Sequence, residues 1–134
     1  MAGLKAIIEI HNLSVTFHGD QIVSAVSGVS LTIHTGEVIA LVGESGCGKS
    51  VVAHAIVRLL PKEAKVTGKI IFLDQDMLTL DERAMVEIRG AKIGVIFQNP
   101  SMALNPLHMV GRQVAEPLRL HRGLSKDEGL LGAS

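Results

Sequence analysis

The sequence predicts an α/β fold built around an anion-binding loop, and three observations predict it. Residues Gly43-Glu44-Ser45-Gly46-Cys47-Gly48-Lys49-Ser50 match G-x-x-x-x-G-K-[ST], the phosphate-binding P-loop. The motif sits in strand–loop–helix context: Glu37 to Val42 is a short apolar run suited to a buried strand, and Val51 to Leu60 reads as a helix ended by Pro61. Upstream, Val26, Val29, Leu31 and Ile33 alternate with Ser27, Ser30 and Thr32, so antiparallel strands precede the loop.

The loop's residue types carry its chemistry. Three glycines let the backbone curl around an anion with no Cβ in the way. Successive N–H groups then converge as a nest, and the helix opening near Lys49 adds its positive end. Lys49 would reach the β- and γ-phosphates, and the Ser50 hydroxyl would ligate Mg²⁺. A chance match in a chain of this length is on the order of one in a hundred.

Bulk composition narrows the alternatives. At 134 residues the chain makes one domain at most, and 47 % apolar residues can fill a core. Thirteen basic and thirteen acidic residues cancel, so charge does not direct the chain to nucleic acid or anionic lipid. With three Phe, no Trp and no Tyr there is no stacking platform for a single strand. One cysteine cannot form an internal disulfide, which fits a reducing compartment. Met1 to Ile10 contains Glu9 and lacks the organisation of a signal peptide. No apolar run reaches the roughly 18 residues of a membrane span.

Taken in order, residues 4–17 are apolar and β-branched, with period two and one slip near His11-Asn12, which predicts one or two strands. His18-Gly19-Asp20 and Thr35-Gly36 are turns. Thr67-Gly68 leads into a strand over Lys69 to Leu73. Asp81 is placed to cap a short helix running through Arg89 and ended by Gly90. Lys92 to Phe97 is a second buried-strand candidate, and Asn105-Pro106 forces a turn. Met109 to His121 has helical spacing broken at Pro117, and the polar, glycine-rich end from Gly123 to Ser134 is expected to fray.

The residues carry more than a generic P-loop. The run from Val38 to Ser50 resembles an ABC transporter nucleotide-binding subunit, and Gly94-Val95-Ile96-Phe97-Gln98-Asn99-Pro100 resembles that family's Q-loop. Phe97 to Pro106 is similar to the oligopeptide, dipeptide and nickel importer branch, in which Leu-Asn-Pro follows the Q-loop. The likeness extends from about residue 4 to about residue 128. It implies a P-loop NTPase fold of the ABC ATPase type, an α/β core with an N-terminal antiparallel β subdomain. The implied parts are the antiparallel β part over 4–36, the P-loop core to the Q-loop over 37–100, and the start of a helical subdomain over 101–134.

The resemblance implies ATP and Mg as cofactors. Phe17 would stack on the adenine, and Gly43, Glu44, Ser45, Gly46, Cys47, Gly48, Lys49 and Ser50 would hold the phosphates. Ser50 and Gln98 would meet the Mg ion; Lys49 and Gln98 would contribute to catalysis, with Gln98 also sensing the transmembrane partner. Implied partners are transmembrane permease subunits and a second nucleotide-binding subunit closing head to tail, at the cytoplasmic face of the cell membrane, or in the cytoplasm for a fragment. The implied function is to couple ATP binding and hydrolysis to import of peptides or nickel.

Three departures bear on this. Phe17 replaces the commoner Tyr, keeping stacking without a hydroxyl contact. Asp74 stands where a hairpin glycine is usual, and Asp tolerates the left-handed region. The sequence contains no signature loop (Leu-Ser-Gly-Gly-Gln), Walker B aspartate with catalytic glutamate, or switch histidine, so the chain alone is expected to hydrolyse ATP weakly or not at all.

Other residues admit plainer readings. Ile70-Ile71-Phe72-Leu73-Asp74 has the form of a Walker B strand, but the family hairpin explains it without a metal. The six histidines show no i, i+4 pair and no nearby Cys, so metal binding by them is not expected. Met102, Leu104, Leu107 and Met109 read as core or partner contact, and Phe17 also suits simple core packing. Cys47, just ahead of a helix N-terminus and beside Lys49, is expected to react with alkylating agents and to be protected by Mg-ATP. Two other functions stay open: a nucleotide-binding or interaction fragment without hydrolysis, and a small-molecule P-loop kinase. The kinase needs an Arg-rich lid, and the one Arg cluster is Arg112, Arg119 and Arg122.

Overall fold

The computed structural model describes residues 4–123; of the glycine-rich end expected to fray, residues 124–134 lie outside them. The chain forms two compact units, Met1–Asp81 and Glu82–Ser134.

The first unit is a four-stranded antiparallel sheet with one helix. Strands β1 (Ala6–His18) and β2 (Ile22–His34) form a long hairpin, closed where His18 pairs with Ile22. Helix α1 (Lys49–Ile56) follows, then β3 (Ala64–Phe72) and β4 (Gln75–Asp76), in the spatial order β2-β1-β3-β4. The slip in period at His11-Asn12 is a bulge inside a single strand. Asn12 takes φ 48°, and the register shifts there against both β2 and β3. The Ser30 hydroxyl accepts the Asn12 N–H at 2.9 Å, so the displaced backbone keeps a partner. The bulge resets the alternation, and Ile10, Leu13 and Val15 are all buried. With Val26, Ile70, Phe72, Met77 and, from α1 and its C-cap, Val52, Ala55 and Val57, they form the core of this unit. Each buried side chain of this size contributes about 1.5–3 kcal/mol.

The β3–β4 connection explains the Walker B look-alike. Phe72 pairs with Gln75, and the two residues between them, Leu73 and Asp74, have φ 47° and 68°. Two positive φ values in a two-residue loop are the pattern of a type I′ turn. Asp74 thus occupies a tight antiparallel hairpin rather than the end of a parallel strand.

Helix α1 is shorter than the predicted span to Leu60 and stops four residues earlier. Leu59 N–H bonds to His54 C=O at 2.9 Å and Arg58 N–H to Ala55 C=O at 3.1 Å, with Arg58 at φ 52°. This is a Schellman stop made by arginine instead of glycine. The Arg58 guanidinium donates to the Leu80 carbonyl at 2.5 Å, which holds the residue in that strained conformation.

The predicted buried strand at Glu37 to Val42 is not formed. The segment joins no ladder and leaves Val38 95 % and Val42 88 % exposed. An apolar run marks a segment fit for burial, but a strand also needs flanking strands to take its N–H and C=O groups. Among the described residues none pairs with it.

In the second unit, α2 (Glu82–Ile88) begins directly after Asp81, and Gly90 turns the chain at φ 82°. The predicted strand at Lys92 to Phe97 reduces to one bridge, Arg89 to Ile93, and Ile96 is 93 % exposed, for the same lack of a partner. A short helix α3 (Pro100–Ala103) and a longer one, α4 (Val110–Arg122), complete the unit. The predicted break at Pro117 does not occur. Proline withholds a single N–H, the one aimed at the Gln113 carbonyl, and the helix runs on to a left-handed Gly123 whose N–H bonds to Arg119 C=O. Of the stripe read as core or partner contact, Leu104, Leu107 and Met109 are exposed, so they do not belong to the core; the Met102 side chain lies outside what is described.

Candidate functional site

The loop from Gly43 to Ser50 joins the unpaired segment to α1. Gly46 and Gly48 take φ 82° and 91°, values that residues with a Cβ rarely adopt. Gly48 is also the N-cap of α1 and the one buried residue of the loop. A Cβ on it would lie 2.4 Å from the Ala25 carbonyl oxygen of β2. The second motif glycine is therefore required twice, by its backbone conformation and by close approach of the helix start to the sheet. A Cβ on Gly43 would fall 2.7 Å from the Cys47 Sγ, so the loop closes on itself across its mouth.

Lys49 is folded back over that mouth. Its Nζ donates to the Gly43 carbonyl at 2.9 Å and the Glu44 carbonyl at 2.6 Å, and lies 3.3 Å from Cys47 Sγ. The ammonium is thus placed by the loop it serves, and two backbone acceptors hold it. Ser50 is exposed on the first turn of α1, and no acidic side chain stands in that turn. The arrangement presents an ammonium, a hydroxyl and a helix N-terminus around a loop stripped of side chains at three positions. A polyphosphate with a divalent cation fits that donor set.

Of the other expected site residues, Phe17 and Gln98 lie outside the loop. Phe17 is half-buried near the end of β1, paired with Val23 and Ala64. Gln98 is exposed in a bend before α3 and belongs to the second unit. Cys47 is exposed. The contribution of Ala25 was beyond sequence reasoning, because it acts through a carbonyl and any residue type supplies one.

Comparison with known proteins agrees with this geometry. The family model described as ABC transporter matches residues 26–128. A dipeptide transport ATP-binding protein of Bacillus subtilis is 46 % identical over 127 residues, covering 92 % of this chain and 38 % of its own length. An oligopeptide transport ATP-binding protein of Mycobacterium tuberculosis is 43 % identical over 120 residues, covering 89 % of this chain and 20 % of its own. The chain thus spans well under half of the curated relatives it matches. A dimeric ATP-binding cassette in a post-hydrolysis state, bound to ADP and Pi, superimposes with TM-score 0.80 at 31 % identity, over 95 % of this chain and 54 % of that one. No helix among the described residues is long and apolar enough to cross a membrane. A family match over most of the chain, and the cassette fold around a complete P-loop, show that the chain belongs to the ABC transporter family.

Proposed function

We propose that the chain is the N-terminal part of a nucleotide-binding domain that holds Mg-ATP at Gly43 to Ser50 and serves as the ATP-binding component of a peptide importer. The observation that carries this is the Lys49 ammonium, held by two loop carbonyls at the mouth of a glycine-lined cradle. Lys49 and the loop N–H groups would hold the phosphates, and Ser50, with Gln98, would hold the Mg ion. Bound ATP supplies the phosphoanhydride whose cleavage drives the cycle. Phosphoryl transfer depends chiefly on positioning and charge neutralisation, which these residues offer. Phe17 at the end of β1 is proposed to stack on the adenine. The peptide reading is favoured by relatives that carry peptide transport in their names. The matching partners are permease subunits and a second nucleotide-binding subunit, at the cytoplasmic face of the membrane. The part from residue 101 onward is proposed as the start of the helical subdomain facing the permease.

Calorimetric titration of Mg-ATP into the chain tests this, beside Lys49→Ala. Loss of a charge-assisted contact worth about 1.5–3 kcal/mol weakens affinity roughly 10- to 100-fold. Mg-ATP should also slow alkylation of Cys47 in the wild type and not in the variant. Absence of heat from a folded sample, or equal affinity in the two proteins, overturns the proposal.

A further inference from the structure

The ring of His121, in the last turn of α4, rests on Gly90, the residue that turns the chain after α2. Both belong to the second unit. A Cβ on Gly90 would lie 2.9 Å from the His121 Nε2, 3.5 Å from its Cδ2 and 4.0 Å from its Cε1. An edge of the imidazole thus fills the space that a side chain would take, and His121 is half-buried at that seat. Gly90 serves twice, through its φ of 82° and through the room it leaves.

The contact closes a circuit around Gln98. The chain leaves Gly90 through a tight turn, in which the Gly90 N–H bonds to the Ile93 C=O at 2.9 Å and the Lys92 N–H to the Ile88 C=O at 2.9 Å. Beyond Ile93 the run through Gln98 to α3 joins no ladder, so its place is set by what holds its two ends. The far end is fastened to α4 by Gln113. Its Oε1 accepts the Asn105 N–H at 2.7 Å, and its Nε2 donates to the carbonyls of Asn105 at 2.9 Å and His108 at 3.0 Å. The near end is fastened to the same helix by His121, about two turns further on. Gln113 alone would let the run swing with α4; the seat on Gly90 ties both to the turn after α2. We propose that His121 is a positioning residue for Gln98, its ring fixing the run that carries the glutamine. The role rests on the reading that gives Gln98 a contact with the Mg ion, whereas the hold on the run does not.

Chymotrypsin cleavage of the full chain, followed by mass spectrometry, tests the hold. The bond after Phe97 reads the run itself, and the bond after Phe72, buried in β3, reports global unfolding. His121→Ala should speed the cut after Phe97 about tenfold and leave the cut after Phe72 unchanged. His121→Gln, whose amide reaches the position of Nε2, should restore most of the protection. Gly90→Ala should speed the same cut in wild type and add less in His121→Ala, because the clash it creates is then gone. An unchanged rate after Phe97 in His121→Ala, a parallel rise at both bonds, or additive effects of the two substitutions overturns the proposal. The gain in ATP affinity on adding Mg then measures the role at the site. It should fall roughly tenfold in His121→Ala, as in Gln98→Ala. The affinity of His121→Ala for ATP without Mg should stay at the wild-type value. A fall in Gln98→Ala with none in His121→Ala overturns the positioning role. No fall in Gln98→Ala refutes the metal contact given to Gln98 alone, because the cleavage rates decide separately whether His121 holds the run.

Discussion

Strand β1 and the run from Val38 to Val42 are made of the same kinds of residue, yet Leu13 and Val15 are fully buried while Val38 and Val42 are almost fully exposed. The difference is where each finds its hydrogen-bond partners. Strand β1 meets β2 after a three-residue turn and β3 across an antiparallel ladder, so the partners are supplied by the nearby chain. The run before the P-loop leads straight into the loop and α1, and no described strand returns beside it. Apolar patterning states a demand for burial; a hairpin meets it locally, whereas a parallel strand depends on a crossover. The P-loop thus hangs between a saturated sheet and an unsaturated segment.

The largest expected effect breaks the comparison if it fails. Leu13→Ala empties a fully buried position and should cost about 2–5 kcal/mol in urea unfolding. Val42→Ala removes an equally apolar side chain from the exposed run and should change stability by no more than about 0.5 kcal/mol. Similar losses for the two would mean that the run before the loop is packed in solution.

Gly48→Ala sharpens the comparison at the point where the two regions touch. The new Cβ meets the Ala25 carbonyl at 2.4 Å and forces φ 91° on alanine, so the start of α1 must move off the sheet. A strained backbone of this kind costs about 1–3 kcal/mol. Mg-ATP affinity should fall with it, because Lys49 is carried on the displaced turn. Gly19→Ala is the control: its Cβ meets nothing within 4 Å, and neither unfolding nor titration should change. Retained affinity in Gly48→Ala would show that the loop does not rest on β2.

How much of this was legible follows from the same contrast. The P-loop, the antiparallel alternation of β1 and β2 and the slip at His11-Asn12 were visible because each is a local demand of the backbone or of a single ladder. Even the hairpin aspartate could be anticipated, since Asp74 tolerates the left-handed conformation it adopts. What could not be read were conditions set by distant atoms. The end of α1 lies at Arg58, where no glycine advertises a stop and a guanidinium bond to the Leu80 carbonyl sustains it. The strands expected at Glu37 to Val42 and Lys92 to Phe97 failed because sequence pattern names a strand without naming its neighbour.

The hairpin turn offers a gain in place of a loss. Leu73 holds φ 47° at the first central position of a type I′ turn, where asparagine is preferred. Leu73 is also exposed, so replacing it gives up little burial. Leu73→Asn should stabilise the saturated sheet by about 0.5–1 kcal/mol in urea unfolding. No gain, or a loss, would mean that the leucine side chain holds the hairpin through contacts that outweigh its strained backbone.

The smallest effect lies at Glu37, three residues past the last ladder pair at His34, where the unpaired run begins. Its carboxylate accepts the His34 N–H at 2.7 Å and lies 3.0 Å from the His34 Nδ1. The backbone bond first, and the side-chain bond second, hold the Glu37 pKa below the ordinary 4.5. A carboxyl whose pKa is depressed by folding binds protons more readily in the unfolded chain. Its contribution is therefore complete above the ordinary glutamate value and disappears as pH falls through the lower folded-state value. Because Glu37 is solvent-exposed, salt screens what remains. In Glu37→Gln the urea midpoint between about pH 5 and about pH 3 should fall less steeply than in wild type, and the two curves should converge at the acid end. Identical slopes would mean that the turn joining β2 to the P-loop segment is held by Thr35, whose N–H and hydroxyl both donate to the Lys5 carbonyl, and owes nothing to the carboxylate.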